Sequence, residues 1–477
     1  MTDPDAGARA ALRLIGPDPA NWVPDRTGRS GQTIDHNLVI VGGGQTGCAF
    51  AFALRRAGIG RVAVIDAAPD AEHAGIWTNG ARMNVLRTPK TLAGPELGIA
   101  ALSFQAWYEA RRGEAAYAAF ERIPRQAWVD YLAWYRSFLG ISVRYGARLL
   151  RIEPAEGYFR LHLGIAGTPT VETARKVILA TGFDGSGGSA VPEVLRDLPR
   201  ALCAHAADAI DFAALAGKDV AVVGAAAAAF DAAAVALEAG AGSVHLFARR
   251  PQLAATPISR SRGYPGAYDN YYALPDAVRW HQAIRYRRAG STAPRDAIER
   301  ALKFPNFHLH LASPWVLARE DAGRIAAETA DGTYRFDFAI AGTGYAADPN
   351  LRPEFSPFAR HIMLWRDRFA PPPDEADPFL GAHPYLGAGN EFLEKAPGAA
   401  PYLRDIHCFN PAGFVSFGVP VGDVPSMKRG HASVTAQISR DLFLADLDHH
   451  RRRMTGDVPP DFGPELYARA VWKPGSA

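Results

Sequence analysis

Gly42, Gly44 and Gly47 are spaced as G-x-G-x-x-G directly after the apolar run Leu38-Val39-Ile40-Val41, and a second apolar run, Val62-Ala63-Val64-Ile65, ends on Asp66. The three glycines serve different physical needs, namely a tight turn, close approach of backbone to a pyrophosphate, and close packing of helix on strand. The helix expected over Cys48 to Ala57 points free N-terminal amides and the positive end of its dipole at that pyrophosphate, with Gln45 and Thr46 inside the cradle. The Asp66 carboxylate accepts hydrogen bonds from both ribose hydroxyls and repels a 2′-phosphate. The first unit therefore suits FAD or NAD and disfavours NADP.

A second unit of the same kind begins at Gly217-Lys218-Asp219-Val220-Ala221-Val222-Val223-Gly224. Gly224 holds the first glycine position, but Ala226 and Ala229 occupy the other two. A methyl group at the second position pushes the pyrophosphate from the backbone, so a degenerate unit that binds nothing is the alternative. Against it, Arg249 and Arg250 follow the strand Ser243–Ala248 where the first unit has Asp66. Guanidinium in place of carboxylate admits a 2′-phosphate through bidentate, charge-assisted hydrogen bonds. The pair then divides into an FAD unit and an NADPH unit.

These residues need elements to position them, and the chain is long enough to supply several. With 477 residues, two or three domains are expected. The fold class expected is α/β: an FAD-binding Rossmann-like domain with a second, inserted NAD(P)-binding Rossmann-like domain. Residues 1–35 form an N-terminal arm, 36–200 the first part of the FAD domain, and 201–335 the NADP domain with a helical insertion at 251–303. Residues 336–455 return to the FAD domain and close the active site, and 456–477 form a C-terminal tail. Within the first part, a helix is expected around Trp128–Tyr135 and an antiparallel meander through Ser142–Tyr145 and Tyr158–Leu163, ending in the buried strand Lys176–Leu179. A hairpin at Ala330–Thr333 leads into Phe336–Tyr345.

Bulk properties exclude more than they assign. A net charge of +3 with 21% charged residues leaves no basic tract for nucleic acid or a membrane surface. Cys48, Cys203 and Cys408 are far apart, which argues against a disulfide framework, a metal site or a dithiol centre. The start, Met1-Thr2-Asp3-Pro4-Asp5, lacks the pattern of a secretory signal, so a cytoplasmic location is expected. The Ala- and Val-rich stretch Val220–Ala241 carries Asp231 and Glu238 and is read as strand, turn and helix, not as a membrane span. A homo-oligomer is compatible with the composition, which does not set its order.

In this order, the motifs resemble the class B flavin monooxygenases, which include flavin-containing, N-hydroxylating and Baeyer–Villiger enzymes. Gly75-Ile76-Trp77 resembles the family's Gly-Gly-x-Trp segment and places Trp77 beside the flavin. Ala180-Thr181-Gly182 and Gly342-Thr343-Gly344-Tyr345 are similar to its two Ala-Thr-Gly loops, with Gly342 replacing Ala. Leu202–Asp208 resembles its linker fingerprint, whose central histidine is His205. The resemblance implies that NADPH reduces FAD and that O2 then forms a hydroperoxyflavin, which oxygenates a heteroatom of a small metabolite, an amine nitrogen foremost. An asparagine lies over the flavin in flavin-containing monooxygenases. Leu86-Arg87-Thr88-Pro89-Lys90 matches that stretch with Arg87 in its place and Asn84 close by, so Asn84, Arg87 and Lys90 are the catalytic candidates. In the run that closes the flavin site, Asn410, Asp423 and Arg429 are candidates for FAD or substrate contact, Asp423 with a turn or cap as its plain alternative. Two other readings stay open: Baeyer–Villiger oxygenation, although His205 lacks the Trp-Pro expected after it, and a non-catalytic flavin-binding sensor or assembly protein.

Overall fold

The computed structural model describes residues 3–28, 31–92 and 94–475, so the first two residues of the arm and the last two of the tail lie outside it. The strands are β1 (His36–Val41), β2 (Val62–Ile65), β3 (Val85–Pro89), β4 (Arg122–Pro124), β5 (Ala147–Ala155), β6 (Tyr158–Ile165), β7 (Thr168–Leu179) and β8 (Cys203–His205). They continue as β9 (Asp219–Val223), β10 (Ser243–Phe247), β11 (Phe307–His310), β12 (Leu317–Asp321), β13 (Arg324–Thr329), β14 (Gly332–Phe336), β15 (Phe338–Ala341) and β16 (Ile406–Cys408).

Two sheets carry the architecture, an α/β fold built twice. The first runs β2-β1-β7-β6-β5, with β16 also paired to β7. The long strand β7 does two jobs: its first half closes the antiparallel meander with β6, and its apolar second half lies parallel to β1. Helix Gln45–Arg56 covers one face through Phe50 and Leu54, joined there by Val434, Ile438 and Leu442 of the helix Val424–Ala445. The second sheet is all parallel, in the order β11-β10-β9-β15-β8. One face is covered by the helices Ala227–Glu238 and Arg295–Leu302, and on the other Ala221, Phe247 and Ala339 pack against Ile325, Ala327 and Phe336 of β13 and β14, so the central strands are short and apolar. The strands β12-β13-β14 form a separate antiparallel sheet whose last turn is the hairpin expected near Asp331.

The structure departs from the sequence reading at two places. Phe338–Ala341 was expected to rejoin the first core, but β15 pairs with β8 and β9 of the second sheet. The first core is rejoined later, through Phe355, Phe358, Ile362 and β16. The two threonine-glycine loops look alike because each ends a strand beside a glycine turn, and pattern alone does not say which turn. Ser142–Tyr145 forms no meander strand; Arg144 makes one parallel bridge to Ile65, and the meander starts at Ala147.

Charged groups inside the first unit are paired across long sequence distances. Lys176, only 3% exposed, reaches Asp405 at 2.5 Å and Asp441 at 3.0 Å. Arg175 reaches the buried Asp446 at 2.8 Å, and Arg26 of the arm pairs with the same carboxylate. Trp22 of the arm donates to Ala57 O, and Trp134 donates to Asp5 in the arm's helix Pro4–Leu14. The arm and the helix Val424–Ala445 are thus tied to the same sheet. Among the described residues, no helix is long and apolar enough to cross a membrane.

Asp446→Ala should lower the unfolding temperature by several degrees, because removing one partner of a buried pair strands the Arg175 charge at a cost of about 3–5 kcal/mol. Glu299→Ala, which breaks the exposed pair Arg295–Glu299, should leave it unchanged. Thermal scans of both variants make the comparison, and equal shifts would refute the assignment.

Candidate active site

The two glycine turns share one geometry. Gly42 has φ 108°, and a Cβ built on it would stand 2.3 Å from Ala180 O. Gly224 has φ 121°, and its Cβ would stand 2.3 Å from Gly342 O. Each turn is therefore pressed on the strand end that leads to its own threonine-glycine loop: Thr181-Gly182 for the first unit, Thr343-Gly344 for the second. No side chain other than hydrogen fits at either position.

The first turn also has the space a pyrophosphate needs. A Cβ on Gly44 would meet no heavy atom within 4 Å, and Gly44 caps helix Gln45–Arg56 without a side-chain hydrogen bond. The helix start is thus open and its amides are available to an anion. Gly47 packs so tightly that a Cβ would stand 1.8 Å from Gly42 O. Asp66 lies beside the turn, accepting from Gly43 N at 2.7 Å and Ala68 N at 2.8 Å. These are the features FAD requires, and the residues present fit it.

Other members of the expected set brace this cradle. Gln45 accepts from the indoles of Trp77 at 2.9 Å and Trp128 at 3.1 Å, and donates to Gly422 O at 3.1 Å. Thr46 donates to the same carbonyl at 3.3 Å. Asp423, the next residue, caps helix Val424–Ala445 through Ser426 N, and burial pushes its carboxyl up to about 6. Asn410 donates to Thr181 Oγ1 at 3.0 Å and Gly185 O at 3.2 Å, locking the first threonine-glycine loop. Arg429 is drawn to Asp269 and Pro265 O of the segment between β10 and β11.

In the second unit, Ala226 caps helix Ala227–Glu238 without a side-chain bond, as Gly44 does in the first. Ala229 changes its neighbour: a Cβ on Gly342 would stand 2.6 Å from Ala229 Cβ. The contact between helix and loop holds the Ala229 methyl group and has no room for a second one on residue 342. The departures at Ala229 and Gly342 meet at one contact, whereas the Ala226 methyl stays at the second glycine position. Arg249 and Arg250 separate in role. Arg249 is exposed beyond β10, whereas Arg250 donates to Ala289 O at 2.9 Å and Arg287 O at 3.3 Å, satisfying the end of helix Asp276–Ala289. His205 accepts from Ala207 N on Nδ1 at 3.1 Å, so the proton sits on Nε2. Burial lowers its pKa and keeps it neutral, and Nε2 is buried without a hydrogen-bond partner among the described residues. Its ring lies edge-on to Tyr345 at 5.5 Å. The neutral His205 ring thus backs the loop Thr343-Gly344-Tyr345 at the second site.

The three catalytic candidates do not converge. Arg87 pairs with the buried Asp231 of helix Ala227–Glu238 at 2.6 Å, which joins β3 to the second unit. Lys90 donates to Tyr117 O at 2.7 Å and lies 4.3 Å from the Tyr117 ring, inside the aromatic cluster around Phe104 and Trp128. Asn84 is exposed, and its carbonyl receives Arg125 N. The sequence reading missed Asp231 and Arg82, which donates to Ala206 O and Asp208 O of the linker. A carboxylate on an otherwise apolar helix was the available signal for Asp231.

Gly342→Ala should lower flavoprotein stability, and adding Ala229→Gly should restore most of the loss, because the two sites share one contact. A thermal-shift double-mutant cycle reads this, and additive effects would refute the shared contact.

Comparison with known proteins agrees with this geometry. Residues 34–300 match the family model described as L-lysine 6-monooxygenase/L-ornithine 5-monooxygenase. The FAD-dependent urate hydroxylase of Xanthomonas campestris pv. campestris is 39% identical over 428 residues, 89% of each chain. Among solved structures, the ornithine hydroxylase of Pseudomonas aeruginosa aligns with a TM-score of 0.68 at 18% identity, covering 85% of this chain and 99% of that one. The L-lysine 6-monooxygenase of Pseudomonas syringae aligns at 0.64 with 16% identity, covering 86% and 99%. These structures share the fold. The chain belongs to the L-lysine 6-monooxygenase/L-ornithine 5-monooxygenase family of flavin-dependent monooxygenases.

Proposed function

We propose that this chain is an NADPH-dependent FAD monooxygenase that inserts one oxygen atom of O2 into a nitrogen-bearing small metabolite, the second oxygen leaving as water. The observation that carries it is the pair of glycine turns, the open one at Gly44 with Asp66 beside it and the one at Gly224 with the exposed Arg249 after the next strand. Bound FAD supplies the redox chemistry, accepting electrons from NADPH and activating O2, and the protein binds, orients and excludes water. Gly42, Gly44, Gly47 and Asp66 hold FAD, with Gln45 fixing Trp77 over the turn. Gly224, Arg249, Thr343, Gly344 and Tyr345 hold NADPH, with His205 packed behind Tyr345.

Family membership supports an amine nitrogen as the site of oxygenation. The relative at 39% identity supports urate as a second substrate reading. A location in a reducing compartment, the cytoplasm, accords with three buried free cysteines.

Purified protein should carry FAD and oxidise NADPH in air. Lysine, ornithine and urate are then offered in turn: hydroxylamine product assigns an amine, and NADPH-coupled loss of urate absorbance assigns urate. Flavin-free protein, or flavin that NADPH does not bleach, would overturn the enzyme. Arg249→Ala should raise the KM for NADPH about ten- to a hundredfold and leave that for NADH nearly unchanged, as for loss of a charged hydrogen bond. Arg250→Ala should chiefly lower the unfolding temperature. Equal effects on both coenzymes would remove Arg249 from the 2′-phosphate.

A further inference from the structure

The C-terminal tail carries large apolar side chains that the rest of the chain leaves uncovered. Val458 is 84% exposed, Phe462 60%, Leu466 72%, Tyr467 50%, Val471 52% and Trp472 80%. Scattered exposed hydrophobics need no account, but six in one short segment mark a surface that is buried by something. Asp457, Asp461 and Glu465 are interleaved with the first of them, and Arg469 and Lys473 follow, so the acidic charge lies in the first half of the tail.

A complementary surface lies where the tail leaves the body. A cavity of about 810 Å3 opens between the arm and the last two long helices, walled by Trp22, Phe443, His450 and Met454, with Arg440 and Arg453 among its lining residues. His450 stacks on Phe443 at 4.4 Å and lies 5.5 Å from Trp22. It is 4% exposed, and its Nε2 is buried without a hydrogen-bond partner among the described residues. Trp22 is held by its bond to Ala57 O, so this wall is preformed. Around it, Leu444 at 55% and Leu447 at 41% exposure extend the apolar surface. The site therefore asks for an aromatic or aliphatic side chain, and carboxylates for the arginines.

We propose that this cavity receives residues 457–472 of a second copy of this chain, with reciprocal exchange of tails in a two-fold dimer. The tail matches each requirement: Phe462 or Tyr467 fills the aromatic cavity, and Asp461 and Glu465 meet Arg440 and Arg453. The chain leaves its own cavity in an extended stretch. Arg453 and Met454 already line it, and Pro459-Pro460 with the restricted Val458 before them hold the departing chain extended.

Sedimentation of the full-length flavoprotein tests this with two charge-reversed variants. One changes the cavity, Arg440→Glu with Arg453→Glu; the other changes the tail, Asp461→Lys with Glu465→Lys. Wild-type protein should dimerise with rising concentration, and each variant alone should need at least about tenfold more protein, because like charges then face each other. An equimolar mixture should dimerise as wild type does, since both tail contacts in the mixed dimer again pair opposite charges. A wild-type monomer at every concentration, dimerisation of either variant at wild-type strength, or no recovery in the mixture would each overturn the exchange.

Discussion

Both nucleotide sites depend on a gap too small for a methyl group. Gly42 against Ala180 O and Gly224 against Gly342 O bring a turn, a strand end and a helix start into contact at one point in each unit. Once that contact exists, the helix axis is aimed over the turn, and its open amides face the space beyond the strands where an anion belongs. The pair Ala229 and Gly342 shows how strict the gap is. The contact has room for the Ala229 methyl group and not for a second one on residue 342.

The two units are joined by charges as much as by apolar packing. Arg87 reaches Asp231, Arg122 lies 3.5 Å from Asp296, and Arg300 donates to Arg82 O while Arg82 grips the linker carbonyls. Asp231 is buried and would be costly without its partner. The arginine expected to act over the flavin is thus committed to keeping the second unit in register with β3. Redox transfer between two bound nucleotides requires such register, because misplacement of reacting atoms by about 1 Å can cost a hundredfold in rate.

The segment after β15 acts as a brace for the first site. Asn410 locks the Thr181 loop, Gly422 O receives both Gln45 and Thr46, and Asp423 starts the long helix that packs on the first sheet. Asp423 was expected in contact with FAD or substrate, and the structure gives its carboxylate to Ser426 N as a helix cap. Gly-Asp-x-Pro commonly makes such a cap, because the side chain satisfies an amide that the helix leaves open.

The sequence by itself determined the two glycine turns, the acid after β2, the arginines after β10 and the alternation of buried strands with helices. These are local: a turn, a cap or a strand is specified by neighbours within a few residues. Tertiary structure decided which threonine-glycine loop serves which turn, which of Arg249 and Arg250 faces solvent, and that Arg87 and Lys90 have partners at Asp231 and Tyr117. Those outcomes depend on contacts between residues far apart in the chain, 144 positions in the case of Arg87 and Asp231. A residue's type states what bonds it can make, and only the packed chain states which partner arrives.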